Sequence, residues 1–265
     1  MNFLGRPAFR FQGEFQSAMC GRFGLIATPD EVGEAFDITG IDPFPPRYNI
    51  APSQPILMVV SASELTGGGE GRNALLVRWG LIPAWVKDAR EFSLLFNARS
   101  ETAAEKPAFR GSMRHFRTLV PASGFFEWRR TGEKGGAQPY WIRPRHGGVI
   151  AFAGLMSPWL GADGTEIDTG TILTTSSSGV IAHIHERSPV VIAPADYERW
   201  LDCRNYEPRE VADLLAPPPA DFFEALPVAK TVSNARNMGA DLIEPIGPAL
   251  EGEPEDEGPG QMDLF

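Results

Sequence analysis

Apolar and polar positions alternate with a period of two along most of this chain, and segments of helical period are few and short. The alternation predicts strands at 21–26, 56–60, 74–79, 117–120, 124–130, 140–143, 149–156, 171–175 and 225–232, with 186–192 again strand-like after a lead-in at 181–185. Within 124–130, Phe125 and Glu127 fall on one face, and Phe126 and Trp128 on the other. A helix is expected from Pro29 to Phe36, with Thr28 as N-cap and Pro29 at the first helical position. Others are expected to open within 96–102, capped by Ser100 or a neighbour, and over 194–201 and 208–215, the last stopped by Pro217–Pro219. The proline-rich stretch 42–55 reads as irregular, 61–73 and 131–138 as turns, 79–85 as an aromatic loop and 233–238 as a polar loop. No internal repeat is present. This pattern predicts an α+β fold, a mostly antiparallel, barrel-like sheet with short peripheral helices.

The totals narrow the picture. A chain of 265 residues with 43% hydrophobic residues has ample material for a core. No apolar run approaches the roughly 18 residues that span a membrane. Two cysteines, Cys20 and Cys203, make no disulfide framework and no cysteine-based zinc site, and they suit a reducing cytoplasm. The net charge of −10 argues against nucleic-acid binding by bulk charge. That charge is uneven: Glu251, Glu253, Glu255, Asp256, Glu257 and Asp263 crowd the end of the chain. The 20–250 body keeps 22 bases against 27 acids, which leaves room for a local basic groove. From 247 onward the Gly, Pro and acidic composition predicts a disordered tail, so the folded domain is expected at 20–246.

Four polar residues stand out in apolar surroundings: Cys20, Asn97, Glu127 and His185. Met19 precedes Cys20, so a chain starting at Met19 and trimmed by one residue would carry an N-terminal cysteine. Such a cysteine has a thiol and an α-amine on adjacent carbons. The amine, with an ordinary pKa of about 7.7–8, is partly neutral near pH 7 and attacks aldehydes. The thiol then closes on the imine carbon to give a five-membered thiazolidine. An internal cysteine has no free amine, and its usual fate is burial as a small apolar residue. Residues 1–19 admit three readings: an over-called start, a removed propeptide, or a retained extension that forbids amine chemistry. Asn97 beside a helix start also fits a cap or turn. Glu127 on an aromatic strand fits either a solvated face or a partly desolvated acid–base group with a raised pKa. The His183–His185 pair lacks the further ligands structural zinc requires, so neither metal nor cofactor is expected.

Six motifs occur in order: Met19–Phe23, Arg47–Pro52, Trp79–Pro83, Asn97–Thr102, Gly124–Trp128 and Ile184–Pro189. Together they resemble the SOS response-associated peptidase (SRAP) family, whose members shield abasic sites in single-stranded DNA. The resemblance covers about 20–246 and implies a covalent sensor of DNA damage. Cys20, once N-terminal, would condense with the ring-opened abasic sugar to form a thiazolidine cross-link. Asn97 would hold the sugar or the amine by hydrogen bonding, Glu127 would shuttle protons, and His185 would open the sugar ring and assist reversal. The family is also credited with removing its own leading residue, a route to exposing Cys20.

The same resemblance assigns Arg22, Arg99 and Arg187 to phosphates around the lesion. It assigns Asn49, Trp79 and Trp85 to neighbouring nucleotides, core packing being the alternative for the two tryptophans. A cysteine peptidase acting on other proteins, with a Cys20 thiolate and His185 as base, is the competing reading. The last five residues, Gln261 to Phe265, resemble a sliding-clamp docking peptide, with Leu264 and Phe265 as apolar anchors and Gln261 fixing register. A frayed apolar end is the alternative. A monomer is expected, in the cytoplasm and at replication forks.

Overall fold

A computed structural model describes residues 21–62, 71–132 and 136–251. The expectations for 1–19, for Cys20 and for Gln261, Leu264 and Phe265 fall outside those residues. The strands are β1 (Phe23–Leu25), β2 (Arg47–Ile50), β3 (Pro55–Ser61), β4 (Arg72–Trp79), β5 (Asn97–Arg99), β6 (Arg117–Ala122), β7 (Gly124–Arg130), β8 (Ala137–Pro144), β9 (Ile150–Leu160), β10 (Glu166–Ser176), β11 (Arg187–Pro189), β12 (Val191–Ile192) and β13 (Phe223–Pro227). The short helices are α1 (Pro29–Phe36), α2 (Ser100–Ala103), α3 (Arg110–His115), α4 (Gly179–Ala182) and α5 (Tyr197–Leu201). None of the helices among the described residues is long and apolar enough to cross a membrane.

The α+β expectation holds, and the barrel is real. β3 pairs with β4, β4 with β10, β10 with β9, β9 with β6, and β6 again with β3, which closes a five-stranded ring. So few strands leave a narrow interior. Gly170 and Gly154 meet that constraint, because a Cβ at Gly170 would collide with Met58 Cε and one at Gly154 with Thr118 Oγ1. A second sheet, in the order β13–β8–β7–β1–β2, packs on the barrel. Edge-to-face rings join the two: Phe23 lies 5.2 Å from Trp79 and 6.1 Å from Phe152, and Phe125 lies 6.0 Å from Phe152. Each such pair adds about 0.5–1.5 kcal/mol beyond the area it buries.

Several local expectations are corrected. The 42–55 stretch is not wholly irregular: once past the prolines at 43, 45 and 46, Arg47–Ile50 pairs with β1 as an edge strand. Asn97–Arg99 is a strand, not part of the expected helix; of the residues expected to cap α2, Ser100 is its first helical residue and its neighbour Arg99 takes the cap position without a side-chain cap hydrogen bond. The 181–185 lead-in is the end of α4, which stops at Ala182, followed by a turn in which the His185 amide donates to Ile181 O at 2.9 Å. Segment 208–215 is a 3-10 helix, its first turn closed by Glu207 and Glu210. The final strand stops at Pro227, and Lys230–Ser233 form a 3-10 turn. By contrast α1 starts where its signals place it, with Thr28 and Glu31 forming a reciprocal capping box.

Candidate functional site

The start of β1 locates the site. β1 pairs antiparallel with β7, Phe23 opposite Phe125 and Gly24 opposite Gly124, and the Phe126 amide donates to Arg22 O at 2.9 Å. Extended back from Phe23 through Arg22, this register brings Gly21 opposite Glu127. Glu127 is 3% exposed and shares the face of Phe125, which looks toward the barrel. Gly21 also lies against the Phe96 ring, with its Cβ direction 3.7 Å from Phe96 Cε2. Two strands therefore converge on the residue that follows Cys20 in the chain: β7 with a buried carboxylate, and the segment entering β5 with Asn97.

The second wall forms around the C-terminal half of β10. β5 runs parallel to β10, pairing Asn97 with Ile172 and Arg99 with Thr174. β11 runs antiparallel to it, pairing Arg187 with Ser176 and Pro189 with Thr174. These registers put Asn97, Arg99, Thr174 and Arg187 on one face. Arg187 reaches across Thr174 and grips Glu101 with both guanidinium nitrogens, Nη1 to Oε1 at 2.5 Å and Nη2 to Oε2 at 2.8 Å; Nη2 also donates to Thr174 O at 2.5 Å. This bidentate bond pulls the Glu101 carboxyl below its ordinary pKa. His185 is half-buried two residues upstream, and the Arg187 amide donates to its Nδ1 at 3.0 Å. The Arg187 carbonyl also lies 3.3 Å from Nδ1, but the amide is closer and can only donate, so the shorter contact favours the tautomer with its proton on Nε2. Nε2 is then the nitrogen left for chemistry.

The six nucleotide-facing expectations divide. Trp79 is corrected to a core residue: it is 0% exposed, and its indole donates to Phe96 O at 2.8 Å. The same carbonyl accepts the Ile172 amide at 3.1 Å, so Trp79 fixes the peptide that leads into Asn97. Asn49 is likewise corrected. It is 3% exposed, and its Nδ2 faces the carbonyls of Val232, Asn234 and Asn237 at 2.9–3.2 Å. Arg22 joins that cluster, donating to Asn49 Oδ1 at 2.9 Å, Val232 O at 2.8 Å and Ser233 O at 3.0 Å. Burial draws its guanidinium below the ordinary value. Arg22 and Arg187 thus hold the protein together with groups that were expected to meet phosphate. Arg99 is exposed on the site face, and Trp85 is 61% exposed, edge-on to Phe92 at 5.6 Å.

Sequence reasoning gave no role to Glu101, Phe96 and Trp128, which shape this region. Glu101 and Arg187 both lie inside the quoted motifs, but 86 positions apart, and only the fold makes them a pair. Phe96 carries no polar signal. Trp128 donates from Nε1 to Ser233 Oγ at 3.1 Å, which ties β7 to the loop that Arg22 and Asn49 hold. Its place beside Glu127 was the one available hint. The described residues hold no cluster of His, Cys, Asp or Glu suited to a metal.

Comparison with known proteins places this arrangement. The model of the SOS response associated peptidase (SRAP) family matches residues 19–235. The chain is 37% identical over 231 residues to "Abasic site processing protein YoqW" of Bacillus subtilis, covering 85% of this chain and 99% of that protein. It is 32% identical over 236 residues to "Abasic site processing protein YedK" of Escherichia coli, covering 86% and 100%. A crystal structure of a Bacteroides thetaiotaomicron protein shares the fold, with a TM-score of 0.71 at 24% identity over 85% of this chain and 99% of the other.

Proposed function

This chain belongs to the SOS response-associated peptidase family, and from that premise we propose that it processes abasic sites in single-stranded DNA by covalent capture through Cys20. The observation that supports the reading is the convergence on Gly21, with buried Glu127 opposite it in register and the Phe96–Asn97 segment against it. Hydrolysis of the Met19–Cys20 bond, by the chain itself or during start-Met removal, frees the Cys20 amine. The amine adds to the C1′ aldehyde of the ring-opened sugar, and loss of one water gives an imine. The Cys20 sulfur then bonds to the imine carbon, its proton ends on nitrogen, and a thiazolidine closes. The net change is loss of one water.

Each step needs a proton moved. Glu127, out of water, relays protons between amine, carbinolamine and imine. His185 serves the sugar hydroxyl through Nε2, in ring opening and in reversal. Asn97 orients without titrating. Arg99 meets a flanking phosphate, and exposed Trp85 offers a stacking face worth about 1–3 kcal/mol per base. The C-terminal pentapeptide, with Gln261, Leu264 and Phe265, tethers the protein to a sliding clamp at replication forks, where the monomer works in the cytoplasm. A peptide of residues 257–265 that fails to bind the clamp removes that last part.

The decisive experiment is intact mass. Purified protein starting at Cys20 should gain one DNA strand, less one water, on incubation with an abasic single-stranded oligonucleotide. Acetylating its α-amine should abolish the gain. A cysteine peptidase using the Cys20 thiol would tolerate acetylation, and cross-linking by protein that keeps residues 1–19 would sink the thiazolidine route.

A further inference from the structure

We propose that Glu101 and Arg187 form a positioning clasp that sets the tautomer and placement of the His185 ring; its bearing on catalysis rests on the function proposed above. Four hydrogen bonds made by one residue carry the inference. The Arg187 backbone amide donates to His185 Nδ1 at 3.0 Å, closer than the Arg187 carbonyl, which stands 3.3 Å from the same nitrogen. Its guanidinium is anchored on Thr174 O of β10 and, bidentately, on Glu101 just beyond β5. Its side chain is only 12% exposed, against 50% for Glu101. A residue locked at its far end on two neighbouring segments cannot shift its own amide, so the His185 ring inherits that rigidity.

The clasp also links the two halves of the wall. Asn97 begins β5, Glu101 follows that strand by two residues, and His185 precedes β11 by two. The ion pair crosses β10 between them, where Arg99 and Pro189 flank Thr174 on opposite sides. The ladders hold β5 and β11 on β10, and this carboxylate adds a side-chain link that joins the Asn97 segment to the His185 segment across it. This use of Arg187 differs from a phosphate contact in a measurable way. A phosphate contact makes Arg187 a determinant of affinity and Glu101 its competitor. A clasp makes both determinants of rate at saturation, and neither of affinity.

The test has two arms on the full chain. In the first, without DNA, ring-nitrogen NMR of His185, assigned with H185Q, reads the tautomer. Wild type should show an accepting Nδ1 and a protonated Nε2, and E101Q should show a mixture. Unchanged His185 signals in E101Q overturn the clasp whether or not the protein cross-links DNA. In the second, single-turnover cross-linking at saturating abasic oligonucleotide is measured for wild type, E101Q, R187K and E101Q/R187K. Each single variant should be slower by about ten- to a hundredfold with affinity for intact single-stranded DNA unchanged, and the double variant no slower than the worse single. Additive losses, or an affinity loss in R187K with an unchanged rate, overturn the proposal in favour of phosphate binding. A wild type that forms no cross-link sinks the proposed function instead and leaves the NMR arm to judge the clasp.

Discussion

The two walls that meet near Gly21 are built from different interactions. On the β1–β7 side, Glu127 is buried on a sheet face, and the start of β1 is braced by Arg22 and Asn49 against carbonyls of Val232, Ser233, Asn234 and Asn237. The acceptors are neutral, and the carbonyls among them all belong to one loop. On the β5–β10–β11 side, the strand ladders are joined across β10 by one ion pair whose carboxylate is half in solvent. Hydrogen bonds to neutral carbonyls respond little to salt or to mild acid, whereas a part-exposed ion pair weakens in salt and is lost once acid below about pH 4 protonates its carboxylate. The wall next to the proposed nucleophile is thus the insensitive one, and the wall bearing His185 is the adjustable one.

The largest expected effect tests whether the β7 wall does chemistry or only supports. Glu127→Gln keeps the shape and some hydrogen bonding of the side chain but cannot exchange a proton as a carboxylate does. Cross-linking in a single turnover should fall by about 10²- to 10⁴-fold, with unchanged affinity for intact single-stranded DNA. A rate near wild type would reduce Glu127 to a structural group and leave all proton handling to the other wall.

Next comes the brace. Asn49→Ala removes the donor facing three carbonyls and the acceptor of one Arg22 nitrogen. Leaving such buried groups unsatisfied costs about 1–3 kcal/mol each. Thermal unfolding should begin several degrees lower, at roughly 2–4 °C per kcal/mol for a chain of this size. The deficit should be the same at low and high salt. A deficit that grew or shrank with salt would mean that charge governs this wall too, and the contrast between the walls would fail.

What was legible in the sequence follows the same division. Period-two alternation located the strands, and Thr28 with Pro29 located α1, because those signals are local. The barrel closure was legible only as a class; the parallel pairing of β10 with β4 and β5 joins segments far apart in sequence. β2 was hidden by flanking prolines, and α4 by the apolar run Val180–Ile181 that suits a strand equally well. Among the site residues, the motifs marked the right stretches, but polarity alone suggested the wrong use for several. Asn49 and Arg22 look like surface ligands until the 232–237 loop is seen to fold over them. Trp79 looks like a stacking face until Phe23 and Phe96 enclose it. Glu101 had no visible partner because the fold alone supplies one.

The smallest effect sharpens the comparison most directly. Bonding to Arg187 lowers the Glu101 pKa in the folded protein. A depressed acid pKa contributes stability that is fully present above the unfolded-state value, ordinarily about 4.3, and is lost as pH falls through the lower folded-state value. Half exposure keeps the contribution within the ~0–1 kcal/mol of solvent-screened pairs. Wild type should therefore melt slightly higher than E101Q at pH 7, and the gap should close as pH drops below about 4. High salt at pH 7 should narrow the gap as well. Because neither condition removes the hydrogen bonds around Asn49, the Asn49→Ala deficit should survive both. If acid erased the Asn49→Ala deficit and left the E101Q gap intact, the assignment of neutral and charged walls would have to be reversed.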